Sequence, residues 1–266
     1  MLRRGIAVAC ASLLVLVAFS RAAPPPSWLD PSDRLDDAAF WRMFTEFSEP
    51  SGFFQSDNLV SNETTFPAVL PGLAARHSAT SAYVGVGPEQ NFSYLAAVRP
   101  RIAFIVDIRR QNAMLHLLYK ALFERAADRA EFLSRLFSRP RPKGIDERSS
   151  AQELLAAYSG AKAKESLYAS NLKDVQKRLL KTHGFKLGEE DLAGLQYVYA
   201  AFFEAGPALQ YSTGSGRRGR PFPTFGELMT AADDAGVARS FLATSGSAGR
   251  ASSRVKDRTR HGVAKG

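Results

Sequence analysis

One cysteine, Cys10, stands in the 266 residues, and it falls within an N-terminal apolar run. Removal of a leader there would leave a chain without thiols. That excludes disulfides, thiolate catalysis and cysteine-ligated zinc. Histidine is scarce too: His77, His116, His183 and His261 are scattered without metal-ligand spacing, so no metal site is expected. Neither GxSxG nor HExxH occurs, and no internal repeat is evident. The longest apolar run, residues 5–19, falls short of the roughly 20 residues of a membrane-spanning helix.

The formal charge of +9 does not amount to a basic surface. Arg3, Arg4 and Arg21 put +3 on residues 1–22. Six basic side chains against Asp257 put +5 on residues 245–266, which leaves +1 for the central 222 residues. A near-neutral domain lacks the electrostatic footprint that phosphate backbones need, which argues against a nucleic-acid partner. Apolar content of 45% and charged content of 23% are those of an ordinary globular protein.

Both ends read as peripheral. Two arginines, an apolar run and small residues at Ser20 and Ala22 form the layout of a secretory signal peptide over residues 1–22. The expected location is therefore exported, periplasmic or envelope-associated. The alternative is a membrane anchor formed by residues 5–19, the only membrane attachment the sequence offers. Residues 23–31 are a proline-rich linker. Residues 245–266 hold almost no large apolar side chain and are expected to be a disordered basic tail.

Between these ends lies one expected domain, residues 32–244. Ser32 or Asp33 can cap a helix running to about Glu49. Residues 53–81 are rich in Ser, Asn and Thr and read as irregular. A short β-branched run, Ala82–Val86, leads through Gly87-Pro88 into a helix over about 89–98. The five apolar residues Ile102–Val106 read as a strand buried on both faces. Residues 110–137 read as one long helix. Further helices are expected over 161–183 and 188–205, the second with an aromatic core face. Capping boxes at Ser150/Glu153 and Thr224/Glu227 open two more. The order strand, helix, strand, helix makes a βαβα unit. Such units form parallel sheets with ligands at the carboxyl ends of the strands.

The informative stretch is "YVGVGPEQNFSYLAAVRPRIAFIVDIRRQN", Tyr83 to Asn112. A strand ending in Gly85-x-Gly87 and opening a helix lets backbone approach a ligand. Asp107 follows at the end of the next strand, spaced to accept hydrogen bonds from the ribose hydroxyls of an adenosine. For NAD, Gln90 stands where a third small residue belongs, and Glu89 would repel a pyrophosphate. For NADP, Arg109 and Arg110 suit the 2′-phosphate, but Asp107 repels it. S-adenosylmethionine carries a sulfonium and an ammonium and no phosphate, so Glu89 becomes compatible. The expected cofactor-binding residues are Gly85, Gly87, Glu89, Asn91, Asp107 and Arg109. Asn91 stays open between a capping and a ligand role. Asn58 and Asn62 lie in a segment able to fold over the site, and His77 is a candidate acceptor-side base.

That stretch, with "SDNLVSNET" before it and "HLLYKALFERAADRAEFLSRLFSR" after it, resembles an uncharacterised bacterial family whose members look like class I S-adenosylmethionine-dependent methyltransferases. The resemblance runs from about Phe40 to Thr244. It implies an α/β fold: a Rossmann-like parallel sheet, here incomplete, with substantial helical additions. It also implies S-adenosylmethionine as cofactor and an unidentified methyl acceptor as partner. Gly85 and Gly87 match the superfamily's glycine loop, and Asp107 matches its second-strand acid.

Two departures stand beside the matches. Tyr83 occupies a position that usually holds an acid, and after about Thr244 the chain leaves the family pattern. The latter reads as a truncation that would leave the protein inactive. Export conflicts with a cytoplasmic methyl donor. The alternative is therefore a non-catalytic exported or envelope-associated protein that retains the fold. A further alternative is an NADP-linked oxidoreductase.

Overall fold

A computed structural model describes residues 35–48, 52, 54, 56–76, 82–212 and 222–243. The signal peptide, the proline-rich linker, the basic tail, the Ser32/Asp33 cap and His77 all lie outside the described residues. The described residues form a mixed α/β structure, mostly helical, with one small parallel sheet.

Helix α1, Asp37–Glu46, starts from Asp36, whose carboxylate accepts the Ala39 N–H at 2.7 Å. Its buried residues, Phe40 and Met43, lie one turn apart on the core face. Helix α2, Phe66–Arg76, corrects the expectation of an irregular segment. Prolines 67 and 71 disguise it, yet Pro67 sits in the first turn, where an amide is not needed. Phe66, Pro67 and Leu70 are buried, and the Phe66 ring meets Tyr94 edge-on at 6.3 Å.

Strand β1, Ala82–Val86, helix α3, Gln90–Val98, and strand β2, Ile102–Val106, fall where the sequence places them. The strands pair in parallel with Ala82 opposite Ile102 and Val86 opposite Val106. The expectation that β2 is buried on both faces is corrected. Val84, Val86 and Val106 share one face by register and are 69%, 65% and 51% exposed. Ile105, on the other face, packs against the core. Burial on both faces needs cover on both sides of the sheet. Among the described residues cover on the valines' face is partial: Phe104, on that face by register, packs against the core, yet the valines stay exposed.

The long helix expected over 110–137 is two helices, α4 (Arg110–Arg125) and α5 (Arg129–Leu136). Asp128 causes the break. Its side chain accepts the Glu131 N–H at 2.7 Å, while Glu131 accepts the Ala127 N–H at 2.6 Å. This local pairing outcompetes continuation of the helix. Both expected capping boxes are present, opening α6 (Ala151–Gly160) and α9 (Phe225–Thr230). Helix α7, Glu165–Lys177, runs into a π-helical turn, Arg178–Thr182, and α8 spans Glu189–Ala205. The expected core face of α8 is in the core through Leu195, Val198, Tyr199 and Phe202.

Helix α4 is the axis of the fold, with every residue from Met114 to Glu124 buried. Two of those residues are charged, so they must be compensated. Glu124 Oε1 accepts from Lys120 Nζ at 2.6 Å. Glu124 Oε2 accepts from Arg178 Nε at 2.5 Å and from His183 Nε2 at 2.8 Å. The other His183 ring nitrogen lies 2.9 Å from Asp37. His183 thus bridges the carboxyl groups of Glu124 and Asp37. Burial alone would push the Glu124 carboxyl up, but His183, Lys120 and Arg178 together hold it below its ordinary value. Glu124→Ala strands Lys120 as a buried unpaired cation. It should cost about 3–5 kcal/mol in urea unfolding, far beyond the ~0.5 kcal/mol of an exposed substitution.

Candidate functional site

The site is the turn between β1 and α3. Gly87 extends the ladder by donating its N–H to the Val106 carbonyl at 3.2 Å, then turns the chain with φ +82°. Such a backbone angle favours glycine. Asn91 closes the turn from beneath. Its amide nitrogen lies 3.1, 3.0 and 2.8 Å from the carbonyls of Val86, Gly87 and Pro88, and its Oδ1 accepts from the Tyr83 hydroxyl at 2.7 Å. Asn91 is therefore a clamp on the loop, with both ends of its amide engaged inside the protein.

The two glycines serve different needs. A Cβ on Gly85 would lie 1.9 Å from Asn91 Oδ1 and 2.6 Å from the Tyr83 ring. Gly85 makes room for the clamp rather than for a ligand. A Cβ on Gly87 would meet nothing nearer than Asn58 Nδ2 at 3.9 Å, Gln90 Nε2 at 3.9 Å and Asp107 Oδ2 at 4.0 Å. Three polar groups from three segments thus converge on the open side of Gly87.

Glu89 departs from its expected part. Its side chain is buried, and both carboxylate oxygens accept the Ser61 N–H, at 3.1 and 3.2 Å. It pins the segment before α2 to the loop instead of facing the mouth. Burial pushes its carboxyl up to about 7, against the lowering effect of the Ser61 N–H and its own backbone amide. With the carboxyl turned to Ser61 and its pKa raised, its repulsion of a pyrophosphate at the mouth is weakened. Pro88, which has no N–H, still removes one amide from the helix start.

Asp107 stands where expected, at the carboxyl end of β2. Its Oδ1 accepts the Arg109 N–H at 2.8 Å and lies 3.4 Å from the Arg109 guanidinium. Among the described residues its Oδ2 has only Asn58 Nδ2, at the long distance of 3.5 Å. Asn58 holds a left-handed φ of 51° to present that amide. The Arg109 guanidinium also lies 5.0 Å from the Phe54 ring centre. Arg110 is occupied elsewhere, with a two-pronged ion pair to Asp191 at 2.9 and 3.0 Å and a stack on Phe44.

Of the expected residues, Gly87, Asp107 and Arg109 come together at the mouth, while Gly85, Glu89 and Asn91 build the loop from behind. Sequence reasoning missed Gln90 and His116. Gln90 was read only as a misfit to a dinucleotide fingerprint. His116, on α4, donates from Nε2 to the Gly87 carbonyl at 2.9 Å. Burial lowers its pKa, with the Gly87 carbonyl and Asp107 opposing. Nothing local in the sequence marks a partner 29 residues away. Among the described residues no cluster of three or more His, Cys, Asp or Glu is arranged to hold a metal ion. No helix among them is long and apolar enough to cross a membrane.

A family model described as a domain of unknown function (DUF7790) matches residues 59–187. The matched span includes the loop, Asp107, all of α4 and the charge network at Glu124. No curated protein matches the chain.

Two outcomes follow from this geometry. Gly85→Ala should destabilise the fold by about 1–3 kcal/mol, because the added methyl must displace the clamp. An equilibrium denaturation curve reads this directly. Glu89 favours the fold in its protonated form. Its contribution is complete below the unfolded value of 4.5 and is lost as pH rises to about 7. Glu89→Gln should therefore melt with the wild type near pH 4 and gain on it by about 3 kcal/mol at pH 8.

Proposed function

We propose that this protein binds S-adenosylmethionine as a methyltransferase-like protein with a Rossmann-like βαβα core. The observation that carries the reading is the convergence of Asn58, Gln90 and Asp107 on the open side of Gly87. A carboxylate with one under-used oxygen suits a pair of ribose hydroxyls. The side amides of Asn58 and Gln90 suit the polar edge of a nucleoside. Asp107 disfavours a 2′-phosphate by like-charge repulsion, and Pro88 weakens a pyrophosphate site, so a phosphate-free nucleoside fits best. In this reading Asp107 and Asn58 hold the ribose, and the acceptor-side residues stay unassigned.

A second reading is favoured by the exposed valines Val84, Val86 and Val106 on one sheet face. It is a non-catalytic exported or envelope-associated protein that keeps the loop. Nucleoside binding separates the two. S-adenosylhomocysteine should raise the thermal midpoint by mass action, whereas NADP should not. Asp107→Asn should weaken that response by roughly 10- to 100-fold in apparent affinity, the usual worth of a charge-assisted hydrogen bond. A cooperative melt that ignores S-adenosylhomocysteine would sink the donor-binding reading and leave the second.

A further inference from the structure

Around the glycine loop and on the helix beneath it, four side chains keep buried polar atoms without a partner among the described residues. They are Gln90 Oε1, both amide atoms of Asn112, His116 Nδ1 and the Tyr119 hydroxyl. Asn112, His116 and Tyr119 are each nine-tenths or more buried. They sit at i, i+4 and i+7 on α4 and so share one helix face. The bond from His116 Nε2 to the Gly87 carbonyl sets that face against the loop. The His116 and Tyr119 rings are 6.5 Å apart, and both meet the edge of Phe92, at 5.8 and 5.2 Å. Glu89, the fully buried neighbour of Gln90 in the chain, joins the group; burial first, and then the Glu89 charge, push the Tyr119 hydroxyl up. Burial dominates the Glu89 carboxyl, and the groups that oppose it are backbone amides rather than cations.

Orphaned polar groups in a native interior call for a ligand, an ion or water. The set has a chemical bias. His116 has committed its only N–H to Gly87, so Nδ1 of the neutral ring can only accept. Gln90 Oε1 and Asn112 Oδ1 accept, and an ionised Glu89 only accepts. The donors are the Asn112 amide and the Tyr119 hydroxyl, which also accepts. Acceptors predominate, and one of them becomes an uncompensated buried anion.

We propose that the orphaned polar atoms of Gln90, Asn112, His116 and Tyr119, together with the Glu89 carboxyl, bind a protonated primary amine. Three N–H donors and one positive charge answer three neutral acceptors and one carboxyl. Entry of the ammonium expels the Glu89 proton to solvent, so binding strengthens as pH rises through neutrality. The amine itself stays protonated throughout. This goes beyond the nucleoside reading and does not depend on it.

The test is a thermal melt of the full chain in methylammonium chloride. Sodium chloride and tetramethylammonium chloride at equal ionic strength are the controls. Tetramethylammonium carries the same charge and no N–H. The expected result is a saturable rise of the midpoint with methylammonium alone, larger at pH 8 than at pH 6. Glu89→Gln keeps an acceptor for Ser61 but removes the charge, and should weaken the response by roughly 10- to 100-fold. Equal responses to the three salts, or an undiminished response in Glu89→Gln, would overturn the assignment and leave water as the occupant. If the variant does not melt cooperatively, the wild-type difference between pH 6 and pH 8 decides alone.

Discussion

The Glu124 carboxylate is the constraint on which the rest of the molecule is arranged. Every residue of α4 from Met114 to Glu124 is buried, so the Glu124 charge cannot be met by water. Lys120 one turn earlier, Arg178 and His183 must therefore reach it. The last two flank the π-helical turn at the end of α7, a local widening of the kind that often marks special sites in helices. His183 then carries the network outward to Asp37 and fixes α1. Its ring stacks on Phe185 at 5.1 Å, and Phe185 stacks on Trp41 at 5.0 Å. One buried anion thereby orders three helices.

Fixing α4 also fixes the candidate site. The same helix that ends at Glu124 begins beside Asp107, and in between it presents His116 to the Gly87 carbonyl. The loop is held from three directions: by α4 through His116, by α3 through Asn91, and by the segment before α2 through Glu89 and Ser61. A glycine loop so tightly held presents its open side without rearrangement. Preorganisation of this kind lowers the entropic cost of binding. The polar atoms left without partners on Gln90, Asn112, His116 and Tyr119 are the reverse case, since unmet hydrogen bonds in an interior are costly.

The sheet sets a different limit. Two parallel strands support the loop and the acid at their carboxyl ends, which is the place where open α/β sheets bind ligands. Yet an isolated two-stranded sheet is marginal by itself. Here α3 packs against β1, while Val84, Val86 and Val106 on one face are exposed. This asymmetry gives the non-catalytic reading its weight beside the methyltransferase-like one.

The sequence by itself determined what depends on partners three or four residues apart. Both strands, α3, the capping boxes at Ser150 and Thr224 and the core face of α8 were legible because turns, caps and periodicity are local. Even the α4–α5 break was written locally, at Asp128 and Glu131, although the apolar periodicity across it spoke louder. Helix α2 was hidden by its two prolines, which read as breakers unless one knows where the first turn falls. Tertiary structure alone decided which way the site residues face. Glu89 turns to Ser61 across 28 residues, Gly87 meets His116 across 29, and Glu124 meets His183 across 59. A carboxylate at a helix start reads the same in sequence whether it looks out at a ligand or in at a backbone amide. Only the packing of distant segments sets its surroundings, and those surroundings set its charge.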